Sequence, residues 1–104
     1  MRRALACLAT ATFLVTPAIA ASPAEQRGQS FALTNCAKCH SIDRVTASPL
    51  PIAPPFRSLH KRYPIESLAE ALAEGITTGH PTMPEYQLEP DQINDLLAYL
   101  KSLE

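Results

Sequence analysis

The sequence is poor in the features that mark several common classes of protein. Its 104 residues include no tryptophan, three phenylalanines, three tyrosines and three cysteines. So few cysteines exclude a disulfide-rich scaffold. The formal net charge of −1 gives no excess of positive charge, which argues against nucleic acid as a partner. No segment alternates apolar and polar residues over a sustained stretch, so we predict an all-α fold.

The first twenty residues have the pattern of a secretory signal peptide. Arg2 and Arg3 supply a positive start, and residues 4–15 form an apolar run too short to span a bilayer comfortably. The Ala-Ile-Ala sequence at 18–20 is a small-x-small cleavage site. We therefore predict cleavage after Ala20 and export to the periplasm, with no stable membrane insertion afterwards. An uncleaved anchor and an N-terminal helix of the fold are the alternatives.

Cleavage leaves residues 21–104 as one small domain, which we expect to be a monomer. Cys36 and Cys39 are then the only thiols, Met83 is the only methionine, and the formal charge becomes −3 because both N-terminal arginines are lost. A domain of this size usually needs a disulfide, a metal or another staple. With so few aromatic side chains in the chain, we expect a bound group to fill part of the core.

Three segments carry helix signals. They run from Pro23 towards Cys36, from Pro64 to Glu74, and from Pro90 towards the C-terminus. Each begins with a proline, which is favoured in the first turn, and Gly75 ends the second. The third segment has a stripe of apolar residues at helical spacing, made of Ile93, Leu96, Leu97, Leu100 and Leu103.

The segment between the first two helices, residues 41–63, lacks a helical period. Four of its residues are prolines, at 49, 51, 54 and 55. Proline lacks an amide donor and restricts φ, so we predict an ordered loop with neither helix nor strand. Its length suggests that it wraps around something.

The sequence NCAKCH at positions 35–40 carries the most specific chemistry. Cys36, Cys39 and His40 are at positions i, i+3 and i+4, which share one face of a helical turn. C-x-x-C-H is the attachment pattern of c-type haem. It predicts thioether bonds from both cysteines to one covalently bound haem c, and axial ligation of the haem iron by His40.

Three other interpretations of these cysteines are weaker. A redox dithiol of the thioredoxin type is found with a βαβ pattern, which this sequence lacks. A structural zinc site needs four ligands, and recruiting His60 and His80 produces no familiar zinc spacing. A disulfide between Cys36 and Cys39 leaves His40 unexplained.

Met83 is the candidate for the second axial ligand. Its thioether is a soft donor, and His/Met ligation raises the reduction potential of haem. Pro81 and Pro84 bracket it and restrict the backbone. A lone methionine often fills a gap in a core, but this one lies between prolines rather than on a helix stripe. His80 is the rival ligand.

The order of these elements resembles a class I, mitochondrial-type cytochrome c of the small bacterial monohaem group. The resemblance covers nearly all of residues 22–103: a first helix, NCAKCH, a proline loop, a helix, the TMP strap and DLLAYLKSL. It implies that the first and last helices cross at Gly28, against Leu96 and Tyr99. Ala32 stands where the family usually has an aromatic residue.

The resemblance also implies a proline carbonyl that accepts a hydrogen bond from the Nδ1–H of His40, and we choose Pro54 over Pro55. The family's tryptophan near a haem propionate has no counterpart here. Tyr63, Arg57 and Arg62 are candidates to replace it. His60 is expected at the surface, where a propionate contact is also open to it.

Ligation by His40 and Met83 leaves no open position on the iron, which oxygen or peroxide chemistry needs. We therefore predict a one-electron carrier without catalytic residues, which makes brief contacts with redox proteins. Four cationic residues are candidates to steer these contacts: Lys38, Arg57, Lys61 and Arg62. Two alternatives stay open: a haem subunit of a larger dehydrogenase or oxidase, and a ligand-binding haem enzyme or sensor with a labile Met83.

Overall fold

The computed structural model describes residues 6–17, 19–76 and 82–104, and its regular structure is helical. The α-helices are α1 at Pro23–Asn35, α2 at Leu68–Glu74 and α3 at Pro90–Ser102. Short 3₁₀ helices occupy Phe56–Lys61 and Ile65–Ser67. No residue within the described ranges is in a β-strand. The prediction of an all-α fold with three main helices is confirmed.

The helix starts follow from the local sequence. Ser22 caps α1, with its side-chain oxygen accepting the N–H of Glu25 at 3.2 Å. Pro90 is the first residue of α3, where the N–H of Glu89 donates to the side-chain oxygen of Gln92 at 3.0 Å. These bonds satisfy groups that a helix leaves without partners at its N-terminus.

The second helix differs from the prediction in its first turn. A continuous helix from Pro64 to Glu74 was expected, but Ile65–Ser67 is a 3₁₀ helix and α2 begins at Leu68. The N–H of Ser67 bonds the carbonyl of Pro64 at 3.0 Å, the i to i+3 bond of a tighter turn. Such turns are frequent at helix N-termini.

The prediction that residues 41–63 contain no helix was wrong at Phe56–Lys61. The four prolines of this segment all precede Phe56, and Pro55 is the N-cap of the 3₁₀ helix. Phe56 and Leu59, three residues apart, are both buried. Because side chains at i and i+3 align in a 3₁₀ helix, this conformation turns both towards the core.

Helices α1 and α3 cross at Gly28, as the family resemblance implied. A Cβ atom added to Gly28 would lie 2.0 Å from the carbonyl oxygen of Asp95 and 2.8 Å from the Cβ of Tyr99. Only glycine therefore permits this approach. Beside the crossing, Arg27 Nε lies 2.9 Å from Asp95 Oδ2, and this hydrogen bond raises the pKa of the guanidinium.

The core lies between α3 and the elements that pack on it. Its buried members are Ala32, Phe56, Leu59, Ile65, Leu72, Leu88, Ile93, Leu96, Tyr99, Leu100 and Leu103. The predicted stripe of α3 is thus confirmed, with Leu97 partly buried at its edge. Ala32 is fully buried, and the neighbouring Phe31 packs against the same cluster.

The segment before Ser22 contributes little to this core. Five of its apolar side chains, those of Leu8, Phe13, Leu14, Val15 and Ile19, are at least 88% exposed. No described residue before Pro23 is helical. Among the described residues, no helix has the length and apolar character needed to cross a membrane.

Candidate cofactor site

One cavity of about 300 Å³ brings together the residues that the sequence analysis singled out. Its lining includes Cys36, Cys39, His40, Met83 and Pro54. Most of the remaining lining is apolar, with leucines from α2, α3 and the 3₁₀ helix at Phe56–Lys61. The volume is in the range of small-molecule sites.

The cysteines and the histidine follow α1 in one further helical turn. The N–H of Cys36 bonds the carbonyl of Ala32 at 2.8 Å, and the N–H of His40 bonds the carbonyl of Cys36 at 3.0 Å. Because the chain keeps turning helically after Asn35, the spacing of the motif places all three side chains on the cavity.

Cys36 has the electrostatics of a buried thiol rather than of a redox nucleophile. Both Cys36 and Cys39 are free and half-buried. Burial raises the pKa of the Cys36 thiol to about 11. Reactive dithiols have lowered pKa values because a cation or a helix N-terminus stabilises the thiolate. The surroundings of Cys36 therefore argue against a redox dithiol.

His40 is oriented by a main-chain carbonyl. The oxygen of Pro54 lies 2.7 Å from His40 Nδ1. Because a carbonyl only accepts, the proton is on Nδ1 and the lone pair is on Nε2. The ring also contacts Phe56, at 5.1 Å between ring centroids. The carbonyl of Pro55 instead accepts the N–H of Ser58.

Residues 41–55, which we call the proximal loop, are bonded to Cys39 and are closed by a bond between their first residue and Phe56. The N–H of Leu50 bonds the carbonyl of Cys39 at 3.1 Å. The N–H of Phe56, just after the loop, bonds the carbonyl of Ser41 at 2.9 Å. These bonds hold the chain next to His40, so the Pro54 carbonyl is kept in position.

A cluster of hydrogen-bonded polar side chains also stabilises the conformation of the proximal loop. Asp43 accepts hydrogen bonds from the hydroxyl of Thr46 at 2.6 Å and from the N–H groups of Thr46 and Val45. These bonds lower the pKa of Asp43 to about 2, the Thr46 hydroxyl contributing most. Arg57 donates to the carbonyl of Thr46 at 2.7 Å and to the hydroxyl of Ser41 at 3.1 Å.

The structure separates the candidates for a propionate contact. Tyr63 lines the cavity and is 38% exposed, so it lies at the cavity's edge. Arg57 is directed into the proximal loop, and neither Arg62 nor His60 is among the cavity-lining residues. Lys38 lines the cavity and is exposed.

Residues 82–88, which we call the distal strap, carry Met83. Its side chain is half-buried and lines the cavity. The strap is held at Tyr86, whose carbonyl accepts the N–H of Ile76 at 3.1 Å and whose hydroxyl donates to the carbonyl of Asn35 at 2.9 Å. His80 and Pro81, which also entered the sequence prediction, lie outside the described residues.

Tyr86 is a residue that sequence reasoning missed. Its position three residues after Met83 was the available signal, but the acceptor of its hydroxyl is 51 residues away in the chain. Across the described ranges, no three His, Cys, Asp or Glu side chains are grouped so that they could hold a metal ion.

A family model described as Cytochrome c matches residues 25–104. The chain belongs to the cytochrome c family. It therefore carries covalently attached haem c, and the cytochrome c domain supports haem-based electron transfer. No curated protein and no solved structure matches the chain.

The residues around the cavity fit a haem of this family. The lining is largely apolar, as burial of a porphyrin requires. It also presents two thiols, an imidazole with its lone pair on Nε2, and a thioether. Thiols, imidazole and thioether are the groups that bind haem in c-type cytochromes.

Proposed function

We propose that this cytochrome c is a periplasmic one-electron carrier. In this proposal Cys36 and Cys39 hold the haem through thioethers, and His40 and Met83 ligate its iron. The observation that carries the proposal is that these four side chains, which come from two distant parts of the sequence, line the same apolar cavity.

His40 acts through the bond that orients its ring. The Pro54 carbonyl oxygen accepts a hydrogen bond from the Nδ1–H of His40, with 2.7 Å between oxygen and nitrogen, which leaves Nε2 as the ligating atom. A hydrogen bond of this kind fixes the orientation of a ligating imidazole and raises its basicity. The bonds from Leu50 to Cys39 and from Phe56 to Ser41 keep this carbonyl in place.

Met83 supplies a neutral, soft donor atom from a segment far from His40 in the sequence. A thioether ligand stabilises Fe(II) relative to a harder one, so His/Met ligation raises the potential. The strap is bonded to the end of α2 through the N–H of Leu88 and the carbonyl of Leu72, 2.8 Å apart. This bond restrains the strap, which would hold the sulfur in place in both oxidation states.

The bound haem supplies one-electron chemistry between Fe(III) and Fe(II). With His40 and Met83 as its ligands, the iron would have no open position for oxygen, peroxide or a substrate. The largely apolar lining offers few polar groups that would have to reorient when an electron enters or leaves. The protein is therefore proposed to transfer electrons without making or breaking a bond in a substrate.

Contacts with redox partners are proposed at the mouth of the cavity. Lys38, Ile52 and Tyr63 line the cavity and are all exposed, Ile52 at 63%. A small surface of this kind suits brief contacts that bury less than about 1,200 Å². Lys38, Lys61 and Arg62 are exposed and can steer an acidic partner, whereas Arg57 is bonded within the proximal loop.

The periplasmic location rests on the signal-peptide pattern of residues 1–20. The structure agrees with removal of this segment, because its described apolar side chains are exposed and add nothing to the core. The family agrees as well, since c-type haem is attached outside the cytoplasm.

The first test replaces Met83 with leucine, which conserves volume and removes the sulfur. The oxidised variant is expected to lose completely the weak charge-transfer band near the red end of the visible spectrum. Leu68→Ala is the matched control, because Leu68 also lines the cavity but has no donor atom. It should keep the band. Persistence of the band in Met83→Leu, or its absence from the wild type, would mean that Met83 does not ligate the iron; His80 is the rival ligand.

A further inference from the structure

We infer that Tyr86 is the positioning residue for the Met83 sulfur, and that its hydroxyl does this by joining the distal strap to the end of α1. The inference rests on the proposed ligation by Met83 and extends it to a residue whose hydroxyl is bonded to a main-chain carbonyl. Tyr86 is half-buried and packs against the core while lining the cavity.

The main chain of Tyr86 anchors the strap to the C-terminal end of α2. Its carbonyl accepts the N–H of Ile76 at 3.1 Å, and two residues later the N–H of Leu88 bonds the carbonyl of Leu72 at 2.8 Å. These two bonds place the strap along the end of α2. They do not connect it to the segment that carries the cysteines.

The side chain of Tyr86 makes that second connection. Asn35 is the last residue of α1, and carbonyl groups in the last turn of a helix lack intrahelical partners. The N–H groups of Cys39 and His40 both bond the carbonyl of Cys36 instead. The carbonyl of Asn35 is therefore available, and it accepts the Tyr86 hydroxyl at 2.9 Å.

This bond joins the two segments that must stay at a fixed distance. Asn35 directly precedes Cys36, and Tyr86 follows Met83 by three residues. The hydroxyl thus connects the anchor of the haem to the strap that carries the sulfur. Without it, the strap keeps its main-chain bonds at α2, but its position relative to Cys36 is less restricted.

Binding of added imidazole reports how firmly the strap holds Met83 on the iron, because imidazole can bind the iron only in molecules in which the Met83 sulfur has dissociated from it. The apparent affinity for imidazole is proportional to the fraction of molecules in that open state. Loss of one ordinary hydrogen bond is expected to raise a small open fraction about fivefold. The apparent Kd of imidazole should therefore fall about fivefold in Tyr86→Phe.

The experiment titrates the oxidised holoprotein with imidazole and follows the absorption spectrum, for wild type, Tyr86→Phe and Tyr99→Phe. Tyr99 is the matched control, because its hydroxyl also donates to a main-chain carbonyl, that of Ile42 in the proximal loop. Tyr99→Phe should lower the midpoint of unfolding by denaturant and leave the imidazole Kd unchanged. Equal falls in Kd for both variants would indicate general loosening and overturn the inference.

The double variant Tyr86→Phe/Met83→Leu separates the inference from the function on which it rests. If the hydroxyl acts through the sulfur, Tyr86→Phe has no further effect on imidazole binding once Met83 is leucine. An unchanged Kd in Tyr86→Phe, with tighter binding in Met83→Leu, would overturn the role of Tyr86 alone. An unchanged Kd in Met83→Leu would overturn the proposed ligation itself.

Discussion

The proximal loop and the distal strap are held in different ways. The proximal loop is bonded mainly to its own neighbours: Asp43 to Thr46, Ser41 to Phe56, and Leu50 to Cys39. Two further bonds join it to α3, from Tyr99 to Ile42 and from Arg44 to Ser102. The described bonds of the strap run to the ends of helices, from Tyr86 to Asn35 and from Leu88 to Leu72. The loop is thus largely built by contacts close in sequence, whereas the strap depends on how the helices are placed.

This difference has a consequence for the two proposed ligands. The bonds that hold the Pro54 carbonyl near His40 span at most 16 residues, and the two bonds from the loop to α3 are made elsewhere in the loop, at Ile42 and Arg44. The Tyr86 bond spans 51 residues. Since long-range contacts form only when the whole fold is in place, we expect Met83 to be more sensitive than His40 to changes elsewhere in the protein.

The largest expected effect comes from removing the haem, which lies between the proximal loop and the distal strap in the proposed account. The double variant Cys36→Ser/Cys39→Ser, purified without haem, should lose most of its far-UV helical circular dichroism. A core of this size supplies only about 3–5 kcal/mol by itself, and the apolar cavity residues would lose their contacts with the haem. The hydrogen bonds of the proximal loop and the distal strap should not be enough to keep the protein folded without haem.

The matched control is Ala37→Ser, which places a serine in the same helical turn and leaves both cysteines intact. That variant should keep both the haem absorption and the helical signal. A native helical spectrum in the haem-free double variant would show that the helices alone support the fold, and that haem does not contribute to its stability as described.

A smaller effect is expected at Asp43, which tests the proximal loop alone. Its pKa is lowered from 3.8 to about 2 in the folded protein, so its charge stabilises the fold fully above about pH 4. This contribution is lost as the pH falls from about 4 towards 2. Asp43→Asn cannot titrate, so the stability gap between wild type and variant should be constant near neutral pH and narrow in that window.

Denaturant midpoints measured across this pH range provide the test, and taking the difference between the two proteins cancels the protonation of other groups. The imidazole Kd of Asp43→Asn should match that of wild type, because the loop acts on the His40 side. A gap that does not narrow below about pH 4 would contradict the role of the ionised Asp43. A tighter imidazole complex would contradict the independence of the two regions.

The sequence predicted the parts that depend on neighbouring residues. Pro23 and Pro90 marked the starts of α1 and α3, and the leucine stripe of α3 indicated its buried face. The spacing of Cys36, Cys39 and His40 placed them together because a single helical turn brings them together. Gly28 was assigned to the crossing by family resemblance rather than by pattern, and the structure shows why an added Cβ is excluded there.

Other parts depended on tertiary packing that no local pattern reports. The 3₁₀ helix at Phe56–Lys61 forms where two apolar side chains three residues apart reach the core. Arg57 was considered for a haem propionate or a partner, but the fold directs it to Thr46 and Ser41. The partner of Tyr86 became visible only when the end of α1 and the strap were placed side by side.

The central claim is that protein side chains close both faces of the haem iron, and carbon monoxide tests it most directly. Carbon monoxide is added to the reduced, purified wild-type protein, and it can bind the iron only at an open position. With His40 and Met83 both bound, the Soret band should stay unchanged after mixing. A rapid, stoichiometric change of the Soret band would contradict the account and indicate a ligand-binding haem protein instead.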